Sequence, residues 1–183
     1  MVKKEIRKKM LELRSKIPQD LKIRKDEKIA LNFINFLKER HVKSVLLYAS
    51  FGSEVDTWRI FEYCKKLSIK TAFPKVKEKF LEIYWVKERS ELAKGYKSIL
   101  EPCNAQKAQI DDIEVIAVPG LAFDKNCFRI GYGGGFYDRL LSKKKGLAAG
   151  LAYEEQVLDQ LPLESHDIKV DLIITDERVI NCG

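Results

Sequence analysis

A chain of 183 residues, 45% hydrophobic and 33% charged, has the size and balance of one globular domain with a core of its own. It lacks the composition of a disordered tract, and no apolar run is long enough to span a bilayer. The net charge of +7 suits a polyanion, whether nucleic acid or a small ligand such as a nucleotide, but the aromatic and basic pattern of an RNA-recognition motif is absent.

In chain order, residues 3–17 read as an amphipathic helix. Ile6, Met10, Leu13 and Ile17 share a face, Pro18 ends it, and Lys3, Arg7 and Arg14 stand along one border of the stripe. Those cations either meet a ligand or snorkel around a packed face. A second helix covers about 20–38. Val45–Ala49 reads as a buried strand, and Thr57–Leu67 as a helix capped by Asp56. Ile69–Phe73 is a short strand, and Phe80–Val86 another, placed at the sheet edge. Residues 87–111 are polar and irregular. Ile113–Val118, Leu147–Tyr153 and Leu172–Thr175 complete the apolar runs. Continuous Val/Ile/Leu/Ala runs separated by helices predict an α/β fold of three α/β/α layers with a mostly parallel sheet, in a single domain over residues 1–183.

The cysteines Cys64, Cys103, Cys127 and Cys182 form no CxxC pair and read as free thiols. Free thiols suit a reducing compartment, and no apolar segment follows the basic N-terminus, so a cytoplasmic protein is expected. Neither membrane nor nucleic acid is expected as a partner, and the expected state is a monomer.

The most informative segment is Gly131-Tyr-Gly-Gly-Gly-Phe-Tyr-Asp-Arg139, which holds four of the ten glycines within five positions just before a helical stretch. Glycines with successive N–H groups form a cradle for phosphate, and Arg129 and Arg139 flank it. A sharp structural turn is the alternative. No Gly-Lys-Ser/Thr closes the loop as in a Walker A sequence, and Phe136 stands where the dinucleotide fingerprint needs a small residue. Three polar segments fall beyond strand ends, where open α/β sheets bind ligands: Ser50–Thr57, Pro119–Asp124 and Tyr153–Glu155. Glu54 projects from the first, either to orient ligand amides or simply as an acid near a helix start. Asp138 either ligates Mg²⁺ beside phosphates or complements a helix dipole. His41 and His166 stand alone, with no partner arranged for a triad.

Pro119-Gly-Leu-Ala-Phe-Asp124, followed by Arg129 through Arg139, resembles the signature of the 5-formyltetrahydrofolate cyclo-ligase family, also called methenyltetrahydrofolate synthetase. Tyr48, Ser53–Thr57, the basic first helix and His166-Asp-Ile-Lys-Val-Asp171 extend the resemblance over nearly the whole chain. It implies conversion of 5-formyltetrahydrofolate, with or without a polyglutamate tail, to 5,10-methenyltetrahydrofolate, with ATP as co-substrate and Mg²⁺. It also implies the residue roles. Lys3, Lys4 and Arg7 would touch ATP phosphates, and Arg129, Gly131, Gly133, Gly134, Gly135, Phe136 and Tyr137 would wrap the nucleotide. Tyr132 through Phe136 would also face the formyl group and pterin, with Ala49 and Glu54 on the folate. Arg129, Tyr132 and Arg139 would act on the reacting groups, and Asp138 and Asp171 would serve Mg²⁺. Two positions depart from the family pattern. Phe136 replaces a more usual tyrosine. Cys127 stands where glycine is common, so a changed backbone is expected in the turn before Arg129.

Overall fold

The computed structural model describes residues 1–182. Its elements run α1 (Lys3–Ser15), α2 (Gln19–Glu39), β1 (Ser44–Leu46), α3 (Trp58–Lys66), β2 (Lys70–Lys77), β3 (Phe80–Trp85), β4 (Leu92–Lys94), β5 (Leu100–Pro102), β6 (Gln106–Ala108), β7 (Val115–Val118), β8 (Ala122–Asp124), β9 (Arg129–Ile130), α4 (Phe136–Leu141), β10 (Leu147–Leu151), β11 (Val157–Leu158), β12 (Leu172–Ile174) and β13 (Val179–Asn181).

The main sheet has the order β13-β12-β10-β7-β1-β2-β3-β6. Its centre, from β12 to β2, is parallel, while β13, β3 and β6 join antiparallel. Among the parallel strands the chain visits positions in the order 2-1-3-4-5, the doubly wound arrangement whose ligand crevice opens where the order reverses, here between β1 and β7. Because β6 pairs outside β3, the Phe80 strand is not the edge expected from sequence.

Alternation along each strand divides the core. Val45 and Leu47 face one side with α2 and α3, joining Phe33, Leu37, Phe61 and Phe73. Leu46, Ile116, Val118 and Ile173 face the other side with Leu140 and Leu141 of α4 and Phe123 of β8. That second cover is a short helix plus a small sheet, β11-β8-β9, rather than a full helical layer. Helix α1 docks on the small sheet, burying Ile6 and Met10 against Leu121, Ala122, Ile130 and Leu161. It ends at Ser15, two residues short of expectation.

Strand β2 pairs with β1 only through Ala72, yet continues to Lys77 beside β3. Pro74, which has no N–H to donate, sits in this overhang where β1 has ended and no ladder bond is lost. The overhang makes one wall of the cavity described next. Irregular residues 87–111 resolve into the β4–β5 ribbon, β6 and 3₁₀ turns, the last beginning at Ile110.

The thiol expectation is corrected at two positions. Cys127 and Cys182 form a disulfide with their Cα atoms 6.0 Å apart, while Cys64 and Cys103 are free. Paired cysteines withdraw the free-thiol argument for a reducing compartment. Cys127 nevertheless keeps the left-handed backbone that glycine would take, with φ of 69°. The turn is held by Cys127 N–H donating to the Asp124 carbonyl at 2.9 Å, and by the Asp124 carboxylate accepting from Asn126 and Phe128. No helix among the described residues is long and apolar enough to cross a membrane.

Candidate active site

A cavity of about 490 Å³ opens at the β1/β7 reversal. Its floor is Tyr48 and Ala49, just past β1, with Pro119 past β7. The Ser50–Thr57 segment forms one side. Thr57 is fully buried and donates its hydroxyl to the Tyr48 carbonyl, while its Oγ1 accepts the Ser50 N–H at 3.2 Å. Helix α3 begins at Trp58, one residue later than expected, and Asp56 still accepts the Trp58 N–H at 2.8 Å.

Glu54 is 6% exposed and lines the cavity. Its Oε1 accepts the Phe51 N–H at 3.0 Å, and it has no ion pair within the described residues. Loss of water around it pushes its pKa up to about 7, with Phe51, Arg14 and Lys22 resisting the shift.

The glycine loop arches over the opposite side. Gly133 and Gly135 take φ of 105° and 69°, conformations that side chains resist, and the loop passes directly into α4. Arg7 Nε donates to the Gly131 carbonyl at 2.9 Å, so α1 both covers the small sheet and braces the loop. Arg129 donates to the Pro119 carbonyl at 3.0 Å, while its buried Nε has no partner within the described residues. Burial lowers the pKa of Arg129, and Asp138, Tyr137 and Asp167 oppose that shift. An arginine that keeps its charge with a donor unspent, flanked by Lys3 and Arg7 on the same cavity wall, suits an anion.

Of the site residues named from sequence, Lys3, Arg7, Ala49, Glu54, Arg129, Gly131, Tyr132, Gly133, Gly134, Gly135, Phe136, Tyr137 and Asp138 all line this cavity. Three do not. Lys4 is exposed on the outer face of α1. Arg139 turns away, donating to the Lys79 and Gly134 carbonyls at 2.8 Å each and buttressing the loop from behind. Asp171 sits at the amino ends of the strands, opposite the cavity. There it accepts the Ala148 N–H at 2.8 Å and pairs with Lys144 at 2.9 Å.

The carboxylate that does reach the cavity from that segment is Asp167, four residues earlier. It pairs with Lys3 at 2.8 Å, and Glu164 reaches the same ammonium at 3.2 Å. Burial alone would lower the Lys3 pKa, but the hydrogen bonds to Asp167 and Glu164 outweigh it and raise it. His166 lies alongside, its Nε2 3.6 Å from Glu164 and 3.9 Å from Asp167. Sequence reasoning also missed the wall formed by Tyr96, Lys97, Ile99, Leu100 and Glu101. That polar, irregular stretch offers no periodicity to read. Tyr96 meets Phe136 edge-on with ring centroids 6.1 Å apart, closing the cavity's far end.

The profile of the 5-formyltetrahydrofolate cyclo-ligase family matches residues 1–176. The chain belongs to that family. The 5-formyltetrahydrofolate cyclo-ligase of Mycoplasma genitalium is 31% identical over 94% of this chain and 96% of its own. Among solved structures, the NMR structure of Aquifex aeolicus 5,10-methenyltetrahydrofolate synthetase is 36% identical with a TM-score of 0.91, covering 100% of this chain and 93% of that one. The Mycoplasma pneumoniae 5,10-methenyltetrahydrofolate synthetase is 27% identical with a TM-score of 0.79, covering 96% and 99%. The cyclo-ligase family thus accounts for the fold and for an enzyme of folate metabolism. The cavity at the β1/β7 reversal is where its members' chemistry would be placed on topological grounds.

Proposed function

We propose that this cavity converts 5-formyltetrahydrofolate to 5,10-methenyltetrahydrofolate at the expense of ATP. The observation that carries the reading is the meeting, in one cavity, of three cations and a buried carboxylate with no ion pair among the described residues, the buried Arg129 Nε still having a donor to spend. Lys3, Arg7 and Arg129 offer charge for phosphates, and Glu54 offers an acceptor for the amino and amide N–H groups of a pterin.

A formamide oxygen is a poor leaving group. Transfer of the γ-phosphoryl group to that oxygen breaks the β–γ bridge of ATP, releases ADP and gives a formyl carbon of iminium character. N10 then attacks that carbon, closes the five-membered ring, gives up its proton and expels the oxygen as inorganic phosphate. This sequence asks the protein to place groups and spread charge, and no protein nucleophile is needed.

Asp138 and Asp167 are the carboxylates that would hold Mg²⁺. Among the described residues no three His, Cys, Asp or Glu side chains cluster as a metal cage. Two carboxylates fit an ion that keeps waters and takes its other oxygens from phosphates. When bound, Mg²⁺ would neutralise charge on the transferring phosphate. Asp167 would then release Lys3 to the nucleotide.

A polyglutamate tail is a natural extension of the substrate. Beyond the cavity's far end, Lys97 lies over Tyr96 at 5.4 Å, Arg139 over Phe136 at 5.3 Å and Lys143 over Phe80 at 5.3 Å, a basic surface for carboxylates.

The test is absorbance of the methenyl product with protein, 5-formyltetrahydrofolate and Mg²⁺, with and without ATP. A rise that requires ATP and matches ADP one-to-one is expected. Folded protein that gives ADP without product, or no product at all, would point to a different ATP-dependent ligase or kinase.

A further inference from the structure

Arg14 is the least expected side chain in the molecule. On α1 it continues the stripe of Ile6 and Met10 and is 3% exposed, where a leucine or methionine would pack without penalty. A buried guanidinium normally takes a carboxylate partner. Arg14 has no ion pair within the described residues and donates instead to three neutral oxygens on three separate segments. These are Ser53 Oγ at 2.9 Å, the Gly120 carbonyl at 3.4 Å and the Tyr132 hydroxyl at 2.6 Å. The three segments are the Glu54 turn, the end of β7 and the glycine loop, each of which lines the cavity.

Tyr132 is 51% exposed and Phe51 50%, and the two rings stack at 6.5 Å across the mouth. Tyr132 stands between Gly131 and Gly133, so its own backbone does little to fix it. The Arg14 bond is its only side-chain hydrogen bond among the described residues.

We propose that Arg14 is a positioning residue, which holds the Tyr132 phenol and the Ser53–Glu54 turn together so that the cavity mouth closes over the folate. This rests on the folate reading above. The charged and titratable groups that bear on Glu54 are Arg14 from α1, Lys22 from α2, Tyr48 after β1, and Tyr132 and Tyr137 of the glycine loop and α4. Removing Arg14 deletes one of two cations favouring the ionised carboxylate.

The experiment is a double-mutant cycle with Tyr132→Phe and Arg14→Met, measuring KM for 5-formyltetrahydrofolate and for ATP, melting temperature and the pH profile. A charge-assisted hydrogen bond that sets the mouth for folate predicts a rise of about tenfold in folate KM for either variant, with ATP KM unchanged. The double variant should be no worse than Arg14→Met alone. Arg14→Met should also move the acid limb of kcat/KM to higher pH, which a purely structural loss would not do. Should Arg14→Met fail to fold, Tyr132→Phe decides, since it removes one oxygen from a half-exposed ring. Wild-type folate KM in Tyr132→Phe would overturn the proposal, as would equal losses for folate and ATP. A wild-type protein that neither binds nor converts the formyl compound would instead remove the folate reading on which it rests.

Discussion

The Tyr153 hydroxyl donates to the Asp26 carboxylate at 2.6 Å, tying the segment after β10 to α2 directly behind Glu54. The same carboxylate takes Lys22 at 2.7 Å and the Asp56 N–H at 3.2 Å, and the Tyr153 hydroxyl lies 3.5 Å from the Glu54 carbonyl. The turn that carries Glu54 is therefore set by a buried polar network rather than by apolar packing alone. Tyr153→Phe leaves the ring in place and removes one charge-assisted bond, which is expected to cost about 1.5–3 kcal/mol. Urea unfolding should show a lower midpoint with an unchanged slope, and folate KM should rise more than ATP KM.

Burial of Glu54 has a thermodynamic sign of its own. Its folded pKa of about 7 exceeds its ordinary 4.5, so the folded state favours the protonated acid. That contribution to stability is fully present below pH 4.5 and is lost as pH rises through 7. Glu54→Gln keeps an acceptor for Phe51 and cannot ionise. It should be stabilised relative to the wild type by about 3 kcal/mol at pH 8 and hardly at all at pH 4. Thermal melts at the two pH values test this, and equal effects at both would show that ionisation is not the cause.

The same group sets an activity prediction. If the ionised carboxylate binds the pterin, kcat/KM for folate falls as pH drops below about 7, because that ratio reports the free enzyme. Glu54→Gln should lose this limb along with most folate affinity while ATP binding persists.

Asp167 and Asp171 separate cleanly by position. Asp167→Asn should raise the Mg²⁺ concentration needed for half-maximal rate by tenfold or more, on the order of a lost metal ligand. Asp171→Asn should leave the Mg²⁺ dependence unchanged and cost about 1 kcal/mol of stability through Lys144 and Ala148. The reverse pattern in a Mg²⁺ titration would restore Asp171 to the site.

The Cys127–Cys182 bond closes a span of 55 residues, from the turn before Arg129 to the residue just past the last strand. Chain-entropy reasoning gives it about 4 kcal/mol against the unfolded state. Cys182→Ser should lower the melting temperature under non-reducing conditions and abolish the effect of added reductant. Insensitivity of the wild-type melt to reductant would show that the bond adds nothing.

What was legible in the sequence follows from where the information is local. The alternation of apolar runs and helices fixes the parallel sheet, and its loops after β1 and β7 mark the crevice, so Glu54 and the glycine loop were found together. Arg14 was seen only as a rim cation. Helical periodicity cannot distinguish a charge beside an apolar stripe from one turned into it when the neutral acceptors lie 39, 106 and 118 residues away. Asp171 directly precedes the Leu172 strand, so its place at the amino end was readable from sequence, whereas the reach of Asp167 to Lys3, 164 residues away, was not. The Tyr96–Glu101 wall and the disulfide depend on long-range contacts that no local pattern encodes.

In the proposed reaction the formyl oxygen leaves as phosphate. The most direct test is turnover of 5-formyltetrahydrofolate carrying ¹⁸O in the formyl group, with mass analysis of the inorganic phosphate released. One ¹⁸O in each phosphate formed per methenyl product is expected. Unlabelled phosphate, with the isotope found in water, would contradict it.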